Sequence, residues 1–205
     1  AQYLTKDPKR DDVLSVFAGL RPLIKTSEGK DTSQISRSHS IIVSVSGLVT
    51  ITGGKWTTYR KMGQDAVDKA ALIAGLEDQE STTKDLRIRG WLKHVDPANP
   101  LWFYGSDSIA IRKLVDRKPE LGETIHPDLP IIKAQVVWAA EHEMARTVED
   151  FLARRTRCLL LNARASQEMA PVVAALLAEI LRKDESWEKA QITQYKEVSS
   201  GYILN

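Results

Sequence analysis

Cysteine occurs once, at Cys158, so no internal disulfide framework can form and nothing points to secretion. A surplus of one charge is missing too. Twenty-nine basic residues stand against 27 acidic ones, a formal net charge of +2. That balance gives no argument for nucleic acid or an anionic membrane as partner. No run of about 18 apolar residues exists, so no segment has the length of a membrane-spanning helix. The first residues, AQYLTKDPKRDDVLS, lack the charged-then-apolar layout of a signal peptide. No internal repeat and no low-complexity tract interrupts the chain. What is present is ordinary: 205 residues, 42% hydrophobic and 27% charged, enough for one large or two small cores. The chain opens on Ala1 rather than Met, which leads us to expect a piece of something longer.

The two halves read differently. Residues 13–60 carry the strand signals. VLSVFAGLRPL is a short apolar run stopped by Gly19 and Pro22. SIIVSVSGLVTITGG is rich in β-branched residues, and Ser46-Gly47 in its middle has the chemistry of a hairpin turn. Between them IKTSEGKDTSQISRSHS reads as a loop. After the glycines, Tyr59, Met62, Ala66, Ala70 and Ile73 recur at helical spacing, and Gly75 is placed to end that helix. EDQESTTKD, residues 77–85, reads as a polar linker.

From about residue 86 the pattern is helical. DSIAIRKLVDRK is one helix. IIKAQVVWAAEHEMA is another, with Ala134, Val137, Trp138 and Glu141 at helical spacing. TVEDFLARRTRCLLL opens with Thr147 as N-cap and Asp150 in a capping-box position. SQEMAPVVAALLAEILRKD opens with Ser166, which puts Pro171 near its first turn. DESWEKAQITQYKEV is a final helix capped by Asp184. DPANP and HPDLP read as loops. The expected class is α+β: a small β-sheet segment followed by an all-α C-terminal domain, with residues 1–76 in the first part and 77–205 in the second.

The stretch SGLVTITGGKWTTYRKM raises the functional question. A strand that runs through Gly53-Gly54 into a helix lets another group approach the backbone, because no Cβ stands in the way. Free amides at the helix start and the positive end of its dipole favour negative charge there. Lys55 adds a full positive charge, and Thr57 and Thr58 add hydroxyls. The alternative is a plain turn with a solvated lysine. Arg21, after the first apolar run, and Arg37, before the second, would lie at strand ends, where ligand groups collect. A planar guanidinium grips phosphate or carboxylate through two oxygens. Two arginines and Lys55 in one small sheet favour an anion site.

Other clusters carry less. His39, His94, His126 and His142 are the only histidines. Glu141-His142-Glu143 has adjacent residues pointing apart on a helix, and no H-E-x-x-H spacing, so no metal is expected. The basic run ARRTRC sits where a helix end favours cations, with Glu149 and Asp150 in pairing distance of Arg154, so no nucleic acid is expected. Trp91, Trp102, Trp138 and Trp187 read as core or interface anchors, and Cys158 as a buried thiol.

SVFAGLRPL, ISRSHSIIV, GLVTITGGKWTTYRKM and EMARTVEDFLARRTR, in this order, resemble the C-terminal part of the FAD-dependent glycerol-3-phosphate dehydrogenases and their oxidase relatives. The resemblance covers nearly the whole chain. It implies oxidation of sn-glycerol 3-phosphate to dihydroxyacetone phosphate, with a hydride passing to FAD and electrons to a membrane quinone, or to oxygen in the oxidases. It implies that Arg21 lies by substrate and flavin and that Arg37 binds the substrate phosphate. Gly53, Gly54 and Lys55 would line the flavin ring, with Lys55 beside the substrate, and Thr57 or Thr58 near a flavin carbonyl. A reduced flavin is anionic around N1 and the C2 oxygen, which answers the question of the lysine. A homodimer and peripheral contact with the cytoplasmic membrane belong to the parent in this reading, which is otherwise cytoplasmic. The G-x-G-x-x-G turn of an FAD enzyme is absent, so the chain is expected to be a C-terminal fragment without FAD binding or activity of its own. Strands taken from a larger sheet expose edges, so residues 1–60 are expected to pair between copies or stay disordered. The rival reading is a helical protein-interaction or dimerisation module without catalysis. A flavin enzyme acting on an amine or 2-hydroxy acid is a third, against which Arg37 argues.

Overall fold

A computed structural model describes residues 5–20 and 38–204. The candidate residues Arg21 and Arg37 lie outside the described residues. The fold is α+β, mostly helical, with two small antiparallel sheets. It divides into two compact units: residues 19–88, and residues 1–18 with 89–205.

In the hairpin unit, β1 (His39–Val43) pairs antiparallel with β2 (Val49–Gly53), and His39 stands opposite Gly53. The β-branched run pairs with itself because Gly47, at φ +82°, closes the turn that Ser44 opens. The Ser44 carbonyl accepts from the Gly47 amide, and its hydroxyl accepts from the Leu48 amide. α1 (Tyr59–Ala74) follows and ends at Gly75 in the left-handed conformation, whose amide donates to the Ala71 carbonyl. The polar stretch read as a linker lies beside α1, where Arg60 donates to both Gln64 Oε1 and Thr83 Oγ1.

The helical unit holds the buried core. Its elements are α2 (Ser108–Arg117), the hairpin β3 (Thr124–His126) and β4 (Leu129–Ile132), α3 (Lys133–His142), α4 (Cys158–Leu161), α5 (Ala163–Leu181) and α6 (Glu185–Ser200). α3 lies between two apolar clusters, with Val136 and Ala139 in one and Ala134 and Trp138 in the other. Between the two contacts, the side of α3 that carries Lys133, Val137 and Glu141 at four-residue spacing stays partly open to solvent. α5 turns Ala165, Met169, Val173 and Leu177 inward at four-residue spacing, and α6 docks Tyr195 against it. Tyr195 and Ser166 share a buried hydrogen bond of 2.5 Å.

Several sequence expectations need correction. Residues 13–20 form no strand. Instead residues 14–16 bond within the helical unit: the Leu14 carbonyl accepts from the Ala163 amide, the Val16 amide donates to the Tyr202 carbonyl, and the Ser15 hydroxyl donates to the Leu159 carbonyl. The isoleucines before α3 belong to β4, and His126-Pro127-Asp128-Leu129 is the tight turn of a hairpin, not a loop. The Thr147–Asp150 capping box is present in both directions, at 3.0 Å each. Its helix, however, is a π-type turn, Asp150–Arg155, that breaks at Arg157 in the left-handed conformation before α4. α5 starts three residues earlier than Ser166, capped by Asn162 Oδ1 on the Ala165 amide. Pro171 is thus inside the helix and not in its first turn. It sits on the exposed face, where water can satisfy the carbonyl its missing amide leaves unpaired.

Candidate functional site

The candidate turn is built as its glycines require. Gly53 and Gly54 have φ of +79° and +81°, which side-chain-bearing residues rarely adopt. A Cβ on Gly54 would stand 2.5 Å from Met62 Sδ and 3.3 Å from the His39 Cβ. The turn therefore lies between β1 and α1, and a side chain at Gly54 would have to displace the flexible end of Met62. Lys55 follows in extended conformation, and a single 3-10 turn, Trp56–Thr58, precedes α1.

This short turn settles where the polar groups go. The Thr58 hydroxyl donates to the Lys55 carbonyl at 2.9 Å and stands 3.3 Å from the Lys55 amide. It is used inside the turn. The Thr58 amide also bonds to the Lys55 carbonyl, so the amides at the open end belong to Trp56 and Thr57. Among the described residues no carboxylate lies within ion-pair distance of the exposed Lys55 ammonium. Gly53, Gly54, Lys55, Thr57 and Thr58 thus come together at one exposed corner.

Three features of this corner were not anticipated. Trp56 stacks on Tyr59 with ring centroids 5.4 Å apart, and the residue is 86% exposed. Met62 fills the space against Gly54. His39 Nε2 donates to Asp65 Oδ2 at 2.9 Å, and Lys61 Nζ donates to the other oxygen at 2.6 Å. The Lys61 ammonium, with help from the His39 bond, holds the Asp65 carboxyl below its ordinary range against partial desolvation. His39 was visible in ISRSHS, but its partner lies 26 residues on, and only the strand register connects them.

Two other concavities compete for attention. An open groove of about 690 Å³ runs between α1 and residues 79–88, lined by Tyr59, Val67, Leu86 and Ile88 among others. A hollow of about 530 Å³ in the helical unit is rimmed by Arg117, Lys133, Glu141 and Glu179. Neither brings together groups with a chemical task. His142 stacks on Trp138 at 4.0 Å and lies 3.8 Å from Glu141, a packing arrangement. Glu149 and Asp150 both pair with Arg154, which uses up part of the basic run.

Comparison with known proteins supplies the family. Residues 50–190 match the family described as the C-terminal domain of alpha-glycerophosphate oxidase. The chain belongs to that family. It is 35% identical to a probable mitochondrial glycerol-3-phosphate dehydrogenase of Caenorhabditis elegans, over 93% of this chain and 29% of that protein. It is 34% identical to the mitochondrial glycerol-3-phosphate dehydrogenase of Mus musculus, over 96% of this chain and 30% of that protein. The Rattus norvegicus enzyme of the same name is also 34% identical, with the same coverage. The chain spans about a third of the length of these relatives.

The turn can be tested against the flavin that the family implies. A flat ring needs a wall without side chains, amides to meet its carbonyl edge and a cation for its developing charge. Gly53-Gly54, the Trp56 and Thr57 amides and Lys55, without a carboxylate partner among the described residues, meet those needs on one side of a ring. Thr58 does not, because its hydroxyl is occupied.

Proposed function

We propose that this chain is the C-terminal part of an FAD-dependent glycerol-3-phosphate dehydrogenase, and that the Gly53–Gly54–Lys55 turn is its share of the active-site wall. The observation that carries this reading is a glycine turn whose lysine has no carboxylate partner among the described residues, in a chain related along most of its length to glycerol-3-phosphate dehydrogenases. A cation at a helix start favours negative charge that arrives there.

The reaction removes a hydride from C2 of glycerol 3-phosphate and a proton from its hydroxyl, leaving the ketone dihydroxyacetone phosphate. FAD supplies the two-electron acceptor. In this reading Gly53 and Gly54 admit the ring to the backbone, and the Trp56 and Thr57 amides and Lys55 favour negative charge at its edge. Arg37 binds the substrate phosphate, and Arg21 orients the substrate beside the ring. Electrons then leave for a quinone, with peripheral membrane contact by the parent enzyme, or for oxygen in the oxidase variant. The helical unit supplies no catalytic group in this scheme and serves packing or homodimer formation. A chain of this length, without the G-x-G-x-x-G turn, is not expected to bind FAD alone.

The test uses the full-length enzyme with glycerol 3-phosphate and an artificial electron acceptor. Lys55→Ala is expected to lower kcat by about a hundredfold, as removal of a charge-stabilising donor does. Arg37→Ala is expected to raise KM by about tenfold or more, since it removes a charged anchor used in both ground and transition states. Wild-type kinetics in both variants would make the turn a turn only. Hydrogen peroxide formed in step with substrate would mark the oxidase variant.

A further inference from the structure

We propose that His39, held through Asp65, is a positioning residue for Lys55. The proposal rests on the reading of the Gly53–Gly54–Lys55 turn as an active-site wall. His39 opens β1 directly opposite Gly53, and its Cβ is 3.3 Å from where Gly54 would carry one. The root of the imidazole therefore packs on the turn itself. Its Nε2 reaches across to Asp65 on α1, one helical turn beyond the Met62 that bounds Gly54 from the other side. Lys61 secures the second Asp65 oxygen. The bond from His39 to Asp65 thus closes a bracket around the two glycines, with β1 as one arm and α1 as the other.

The bracket adds to the strand pairing at Gly53 and the Met62 contact at Gly54. None of the described residues of the hairpin unit is buried, so close packing does not fix the place of the turn. Gly53 and Gly54 are the most permissive residues the backbone can have. A directional bond between partly covered groups, 21% and 26% exposed, then adds a fixed direction to the contact of the turn with α1. Lys55 is the next residue along, and the placement of its ammonium inherits the precision of the turn. Because Lys55 is assigned to charge that develops during reaction while Arg37 holds the phosphate, a loosened turn should cost turnover and spare substrate affinity.

The first measurement is made on the 205-residue chain, by amide NMR with 15N labelling, and needs no enzyme activity. His39→Ala and Asp65→Ala are expected to move the amide signals of Gly53, Gly54 and Lys55 in the same direction, because both break one bond. His39→Gln, whose amide still donates to Asp65, is expected to return them toward wild type. Unmoved Gly54 and Lys55 amides in His39→Ala overturn the proposal. The second measurement is made on the full-length enzyme. His39→Ala and Asp65→Ala are each expected to lower kcat between about tenfold and a hundredfold, the scale of a misplaced catalytic group. KM should stay within about twofold, and the double variant should be no slower than either single one. Wild-type turnover, or losses that multiply in the double variant, overturn it. Should Asp65→Ala fail to fold, Asp65→Asn keeps a carbonyl acceptor and is expected to retain most of the turnover. If Lys55→Ala itself turns over like wild type, the reading of the site fails, while the amide measurement still decides whether the bracket exists.

Discussion

Cys158 donates its thiol hydrogen to Thr156 Oγ1 at 3.0 Å and has no exposed surface. Burial pushes the thiol up to about 11, because the thiolate would lose its hydration. The folded chain therefore holds this proton more tightly than the unfolded chain, whose thiol titrates near about 8.5. Its contribution to stability is complete below that lower value and is lost as pH rises through about 11. Two outcomes follow. Native protein at pH 8 should react with a disulfide reagent about a hundredfold or more slowly than unfolded protein. The fall in unfolding midpoint between pH 8.5 and 11 should be shallower in Cys158→Ala than in wild type, and equal slopes would show that the thiol is not enclosed. Thr58 offers a second lesson at this scale. A hydroxyl beside a candidate ligand site reads as a ligand group in sequence, yet its nearest acceptor is the Lys55 carbonyl of its own turn.

Elements were legible where a local rule dictates them. Gly47 and the β-branched run dictate the first hairpin, Gly75 ends α1, and Thr147 with Asp150 and Asp184 cap their helices. Errors arose where a distant contact overrides the local rule. Ser166 looks like a cap, but Tyr195 takes its hydroxyl into the core, and Asn162 caps instead. Arg157 and Arg182 adopt the left-handed conformation without glycine to announce it, so the break before α4 had no signal. The 13–20 segment is as apolar as a strand, but its backbone bonds go to residues far along the chain. The candidate site divides the same way: the glycine turn and Lys55 are local and visible, whereas the His39–Asp65 bond depends on register. Glycine positions make this scale testable. At Gly105, with φ of 55°, a Cβ would stand 1.8 Å from the Gly90 carbonyl oxygen, which is backbone and cannot rotate away. At Gly54 the obstacle is the flexible end of Met62. Gly105→Ala should therefore cost about 3 kcal/mol or more, from overpacking added to conformational strain. Gly54→Ala should cost about 1–2 kcal/mol, the conformational part alone. Denaturant unfolding of the helical unit gives the first number, and an equal, small cost at both positions would contradict the close approach of Gly90 and Gly105.

At the scale of the whole chain, the two units differ in what holds them. Among the described residues every fully enclosed side chain, Tyr195, Phe151, Ile111 and Leu152 among them, lies in the helical unit. The hairpin unit has none among its described residues, and leaves Ile42, Val45, Leu48, Val67 and Leu72 more than half exposed. Burial of apolar surface is the main term that offsets chain entropy, and an isolated hairpin with one helix is marginal by that measure. The site reading puts the catalytic wall on this weaker unit. That is compatible with function, because elements that carry binding groups are drawn from the low-stability end of a structure. It also has a measurable consequence. In native-state hydrogen exchange on the 205-residue chain, amides of Ile41 to Thr52 should open by local unfolding, with protection about a thousandfold or more below that of Met169 to Leu177 in α5. The α5 amides should exchange only with global unfolding, since the larger cluster encloses them. Protein concentration separates two origins of any protection found in the hairpin. Protection that rises with concentration would come from pairing of exposed strand edges between copies. Protection as high as that of α5 in dilute monomer would mean that the polar bracket of His39 and Asp65 stabilises the unit far beyond what a partly exposed pair usually contributes.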